Sequence, residues 1–260
     1  GVPSNCTVTG QLQIGTITGN DGNPTGGGLG AHAGAVYANY IYLMGGLSTS
    51  IANNGTDLTF VRYAKFDDSN NVVAVSGGDW LEGTNEMATG RRRGSGFGYN
   101  GYLYVLGGYD GTDAIADIEF AKINVSDGSW GVFDTSSVSI QKRWALTTVV
   151  TNSYAYVIGG CTAGAAPSNC NTRTDTIQTF QIYNNDSGAI KDITNFSDDG
   201  FATNANRWGA SSAIRTDPAT NISYIYVAGG CISATDCTDT TSNVQFAEIS
   251  ATDGSVGTWA

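Results

Sequence analysis

The chain has 260 residues and a formal net charge of −11, from 12 Lys and Arg against 23 Asp and Glu. Phosphate recognition needs clustered cations, so this balance argues against nucleic acid and against an anionic membrane surface as partners. No apolar run approaches the ~18 residues of a membrane-spanning helix, and the 36 glycines among many Ser, Thr, Asn and Asp suit short strands joined by tight turns.

The first signal along the chain is Pro3-Ser4-Asn5-Cys6, spelled again as Pro167-Ser168-Asn169-Cys170. Cys161 with Cys170 and Cys231 with Cys237 lie in corresponding short loops. Their spacing is not that of a zinc knuckle, and a single histidine, His32, is too few for mixed Cys/His metal sites. Two local disulfides are expected, and with them an oxidising, extracellular or cell-surface compartment. No secretory leader is visible at Gly1, which reads as a mature or excised form. Aligned on Cys170 and Cys237, Cys6 places residues 1–29 as the outer half of a repeat unit whose inner half precedes Gly1. Otherwise the match is chance and Cys6 is a free thiol.

Four segments then share one pattern: Tyr40-Ile-Tyr-Leu-Met-Gly-Gly46, Tyr102-Leu-Tyr-Val-Leu-Gly-Gly108, Tyr154-Ala-Tyr-Val-Ile-Gly-Gly160 and Tyr224-Ile-Tyr-Val-Ala-Gly-Gly230. Alternating aromatic and aliphatic residues predict a strand, and the Gly pair predicts a sharp bend or a close approach of backbones. A strand of small residues precedes each, as at 94–100 and 145–152. A third strand follows, with cores Tyr63–Phe66, Phe120–Ile123, Phe180–Ile182 and Phe246–Ile249. Asn70-Asn71, Asp127-Gly128, Asp186-Ser-Gly188 and Asp253-Gly254 are the turns after it. A fourth strand is expected to carry Trp80, Phe133, Phe196 or Trp259. The Gly pairs ending at Gly46, Gly108, Gly160 and Gly230 are 62, 52 and 70 residues apart, the spacing of four-stranded units.

Tyr-x-Tyr followed by two apolar residues and Gly-Gly, with an aromatic-rich strand and a later Trp, resembles the Kelch repeat. Arg93, Arg143 and Arg207 before the first strands add to the likeness. The resemblance covers residues 30–260 and implies an all-β fold, a β-propeller of four-stranded antiparallel blades. About four and a half blades fit this chain: the half-blade 1–29, then 30–92, 93–142, 143–206 and 207–260, an arc of one propeller domain. Such propellers host both enzymes and binding modules.

No catalytic constellation stands out. The copper site of the galactose oxidase group needs two histidines, and only His32 is present. The Ser-x-Asp-x-Gly-x-x-Trp box of sialidase-type propellers is met only out of register, by Thr252–Trp259. Asp110, Asp113 and Asp117 offer oxygen ligands to calcium, but at no calcium-loop spacing, and Asp in turns commonly caps its own backbone. No cofactor is expected. The run Arg91-Arg92-Arg93 reads as a solvated turn.

Candidate ligand-binding residues are Arg93, the pairs Arg143-Trp144 and Arg207-Trp208, and Tyr109-Asp110. A guanidinium beside an indole is a platform for a sugar ring or an acidic group. The alternative is architectural, with Arg bonded to a neighbouring blade's backbone and Trp wedged between blades. The expected function is a binding module for a glycan or surface protein. Alternatives are a self-associating surface-layer or filament subunit and part of a sugar-modifying enzyme. Six Asn-x-Ser/Thr sequons occur, at Asn5, Asn54, Asn124, Asn185, Asn195 and Asn221.

Overall fold

A computed structural model describes residues 31–47, 57–69, 71–73, 75, 80–151, 153–164, 169–182, 188, 190–196, 206–233 and 237–260. The expected half-unit at 1–29, with Cys6, therefore lies outside the described residues, as do Asn54, Asn185 and most of the turn at 186–188. The fold is all-β, with no helix among the described residues and several antiparallel sheets, none closed into a barrel.

The first sheet joins β1 (Ala33–Tyr37), β2 (Tyr40–Met44) and β3 (Val61–Phe66), with the short β4 (Val72–Val73) and β5 (Leu81–Glu82) both on β3. The second is β6 (Ser95–Tyr99), β7 (Tyr102–Leu106), β8 (Ile118–Lys122) and β9 (Asp134–Thr135). In the third, β10 (Thr147–Thr151), β11 (Tyr154–Ile158), β14 (Ile177–Ile182) and β15 (Ile190–Phe196) pair in that order. The fourth holds β16 (Ser211–Thr216), β17 (Ser223–Ala228) and β18 (Val244–Ile249). The sheets lie side by side through their first strands, β1 against β6, β6 against β10 and β10 against β16. Three apolar layers fill the spaces between consecutive sheets.

Each Tyr-x-Tyr strand is the second of its sheet, and its alternation sends side chains into both flanking layers. Both glycines of every pair have positive φ, from 59° at Gly107 to 106° at Gly108. The second glycine donates its N–H to the carbonyl of an arginine in the next unit: Gly46 to Arg91 (2.7 Å), Gly108 to Arg143 (2.8 Å), Gly160 to Arg207 (2.9 Å). A Cβ on Gly108 would stand 2.9 Å from the Arg92 carbonyl oxygen, so the bend and the close approach both require glycine here.

Three details differ from the sequence reading. The third unit has the expected fourth strand, β15, ending at Phe196, but in the first two units these strands are short and Trp80 and Phe133 flank them, as Trp259 lies outside any strand in the last. In the last unit an isolated bridge from Ile249 to Val256 and a reciprocal bond pair between Phe246 and Ala260 take the place of a strand. Short outer strands limit the unpaired edge that a sheet offers to other chains. The second difference is register. Tyr63, Phe120 and Phe246 stand opposite Tyr42, Tyr104 and Tyr226, but Thr179 stands opposite Tyr156, and Phe180 is paired with Ala155. A shift of one residue turns Phe180 to the other face, where it packs 6.3 Å from Phe97. The third is an added ribbon, β12 (Cys161–Ala163) with β13 (Thr172–Arg173), built on the cysteine loop.

Candidate binding face

Antiparallel topology puts the connections between second and third strands at one end of every sheet. The segments leading into the first strands lie at that same end. All the candidate residues therefore gather on one face. Between the first strands runs a cavity of about 460 Å³ lined by Gly34, Val36, Gly96, Phe97, Val149, Ile214 and similar apolar or small residues. None of its lining residues is titratable.

Aligned on the starts of β6, β10 and β16, the arginine equivalent to Arg143 and Arg207 is Arg91, not Arg93. These three form one buried device. Arg143 Nη1 donates to the carbonyls of Gly159 (3.0 Å) and Thr176 (3.2 Å), and its Nη2 reaches Gln178 Oε1 (3.0 Å). Arg91 bonds Gly107 and Asp117 carbonyls and the Glu119 carboxylate; Arg207 bonds the Gly229 carbonyl and Gln245. Glu119 also accepts the N–H groups of Ala88 (2.6 Å) and Thr89 (3.2 Å). Burial pushes the Arg143 guanidinium down to about 10 and holds Arg91 and Arg207 below their usual value. Arg143 and Arg207, expected as binding residues, are buried and bonded within their own sheets. Each side chain bonds its own sheet while its backbone carbonyl takes the neighbour's glycine. Glu119, Gln178 and Gln245 occupy one strand position and were not recognised in the sequence, where a lone Glu or Gln in a strand carries no signal.

The next position in each unit is Arg92, Trp144 and Trp208, bridged to the residues after the Gly pairs, Tyr109, Cys161 and Cys231. The indoles pack edge to face at 5.2 Å, and Tyr109 meets Trp144 at 6.4 Å. Their cluster includes Ala114 and the Cys161–Cys170 pair. Cys161–Cys170 and Cys231–Cys237 are the two described disulfides. Trp144 is 0% exposed and Trp208 5%, so neither presents an open stacking face. Instead of the expected open platform, the two indoles are buried against each other. The run Arg91-Arg92-Arg93 is likewise no solvated turn, since Arg91 and Arg92 are buried and only Arg93 reaches solvent.

One position further stand Ala31, Arg93, Ala145 and Gly209, all with φ between 52° and 65°. They form a hydrogen-bonded chain across the four sheets: Arg93 N–H to Ala31, Ala145 N–H to Arg93 and Gly209 N–H to Ala145, at 2.7–2.8 Å. Arg93 is the only long side chain in this row. Its guanidinium carbon lies 5.3 Å from the Trp144 ring and 5.7 Å from the Trp208 ring. No carboxylate pairs with it among the described residues. Burial, then the adjacent charge of Arg92, hold its pKa below the guanidinium norm.

Beside it lies a group that the sequence left unmarked. Asp57 stands 3.5 Å from Arg92 Nη1, and Arg92 in turn lies 5.1 Å from the Tyr109 ring centroid. Burial outweighs the Arg92 charge and raises the Asp57 carboxyl to about 6. Tyr109 is buried and donates to the Thr112 carbonyl (3.1 Å). Asp110 is exposed and accepts the Thr112 and Asp113 amides, while Asp113 caps Ala114 and meets Lys142. These carboxylates are occupied as turn caps. Among the described residues no group of three or more His, Cys, Asp or Glu is placed to hold a metal ion.

No family profile and no curated protein matches the sequence. The solved structure of YjhT is similar to this chain with a TM-score of 0.56 at 12% identity, over 91% of this chain and 71% of that one. At that identity the likeness speaks for the fold alone.

Proposed function

We propose that this chain supplies consecutive blades of a Kelch-like β-propeller and acts outside the cell by binding a glycan or a surface protein. The blade reading is supported by four sheets adjoining in order through their first strands. The extracellular reading is supported by the two disulfides, which persist in oxidising compartments.

The observation that carries the binding role is Arg93. Among the described residues it is the one cation seated on two indoles and without an acidic partner. A partly desolvated guanidinium there gains most from a carboxylate or sulfate on the ligand, bound through two parallel N–H donors. Trp144 and Trp208 position it, and the disulfide-stapled loops frame it.

The test is binding of a panel of neutral and acidic glycans and of acidic peptides by calorimetry, with Arg93→Gln beside the wild type. A charge-assisted pair contributes about 1.5–3 kcal/mol, so the variant loses at least about 10-fold in affinity for an anionic ligand. A ligand bound equally well by both proteins removes Arg93 from the site. No binding across the panel removes the glycan and peptide reading itself.

A further inference from the structure

The two disulfides stand in unlike settings. Cys161 and Cys170 are both fully buried, and neither has a left-handed backbone. Their loop is backed by the ribbon in which Cys161 pairs with Arg173. Cys231 is buried, but Cys237 is half-exposed and its φ is 50°. An L-residue resists that conformation because its Cβ crowds the following carbonyl. This second bond therefore holds strained backbone at a place that solvent reaches. Exposed or strained disulfides are the ones that exchange with thiols, whereas buried and relaxed ones resist reduction.

What the second bond fastens is Trp208. Trp208 N–H donates to the Cys231 carbonyl (3.2 Å) and Cys231 N–H to the Trp208 carbonyl (2.8 Å). The indole Nε1–H then donates to the carbonyl of Ser233 (3.2 Å). Ile232, between those two residues, gives its carbonyl to Arg173 of the neighbouring ribbon and its N–H to the Asp239 carbonyl (2.9 Å). Trp144 has no such tie, its Nε1 being buried with no hydrogen-bond partner among the described residues. The two indoles are alike in packing and unlike in what holds them.

We infer that Cys237 is a site of thiol–disulfide exchange with an external dithiol, and that opening the Cys231–Cys237 bond releases the Trp208 indole. A thiolate of the dithiol attacks Cys237 Sγ, the bond to Cys231 breaks, and Cys231 leaves as a thiolate that takes up a proton. The second thiolate of the dithiol then attacks its own sulfur in the mixed disulfide. The oxidised dithiol departs, and the Cys237 thiolate is protonated in turn. Two electrons pass to the protein, and the dithiol loses the same two. Without the bond, Cys237 leaves the left-handed region and the Ser233 carbonyl is no longer held against the indole nitrogen. Trp208 is one of the two rings under Arg93. An effect on ligand binding rests on the reading of Arg93 above; the exchange itself does not.

Equilibration in mixtures of reduced and oxidised dithiothreitol, followed by acid quenching, alkylation and peptide mapping, reads each bond separately. Cys231 and Cys237 take the label at a dithiol-to-disulfide ratio at least about tenfold lower than Cys161 and Cys170. Over that first step the near-ultraviolet circular dichroism of the indoles changes while the far-ultraviolet spectrum keeps its strands. Trp208→Phe loses the near-ultraviolet step. The double variant Cys231→Ser with Cys237→Ser shows the spectrum of the opened form with no reductant present, which separates loss of the bond from any action of the reagent. Both bonds opening together, or Cys161–Cys170 opening first, overturns the exchange site. A first step that leaves the indole signal unchanged, or a signal that Trp208→Phe retains, overturns the link to Trp208. Failure of every ligand at Arg93 would count against the binding reading and leave both of these results standing.

Discussion

The hydroxyl of Tyr156 donates to the carbonyl oxygen of Gly254, 98 residues later in the chain, at 2.9 Å. It pins the third sheet to the turn of the fourth, and Tyr104 and Tyr42 do the same one and two interfaces earlier. Burial raises the phenol pKa at all three, so these hydroxyls stay protonated donors across the physiological range. Tyr104→Phe leaves the Gly188 carbonyl without this donor in a buried setting, at a cost of about 1–3 kcal/mol. Urea denaturation measures it; a variant as stable as wild type would show that the pin contributes nothing.

Gly128 answers the same contact from the other side. Its φ is 77°, and a Cβ would lie 2.4 Å from Tyr40 Cδ1. Left-handed backbone alone costs a non-glycine residue about 1–2 kcal/mol, and the ring must shift as well. Gly128→Ala therefore loses more than Gly101→Ala, where φ is 82° but no atom lies within 4 Å. The difference in melting temperature between the two variants isolates the packing cost.

Arg143 and Trp144 act on stability before they act on anything else. Arg143→Met strands the Gly159 and Thr176 carbonyls, with an expected loss of about 3 kcal/mol or more. Trp144→Ala empties a fully buried site and costs about 3–5 kcal/mol. Arg93→Gln, by contrast, should leave the unfolding midpoint nearly unchanged. Equal destabilisation by all three would contradict the separation of Arg93 from the buried arginines.

Asp57 predicts a pH dependence. Its folded pKa of about 6 stands above the ordinary 3.8, so the folded state binds this proton more readily than the unfolded chain. Stability from this group grows as pH falls from about 6 toward 3.8 and is lost as pH rises through that window. Comparing wild type with Asp57→Asn between pH 7 and pH 4.5 cancels the other carboxylates, and wild type should gain stability relative to the variant on acidification. A carboxyl midpoint near 4 by NMR would refute the assignment.

The strand pattern, the glycine pairs and both disulfides are local facts, and the sequence by itself determined them. Alternation of apolar and aromatic residues can bury two faces only as an inner strand, Gly-Gly marks a bend that side chains resist, and cysteines nine and six residues apart can close only small loops. The roles of the arginines were not legible in this way. Arg91, Arg92 and Arg93 are consecutive and chemically identical, yet one bonds Glu119, one faces Asp57 and one reaches solvent over two indoles. Only their register against β6 separates them, and a strand's register is set by its partners rather than by its own residues. Asp57 and the Trp144–Trp208 contact were hidden for the same reason. Their neighbours belong to other sheets, and it is the packing of sheet on sheet that decides which charge is buried, which is paired and which reaches solvent.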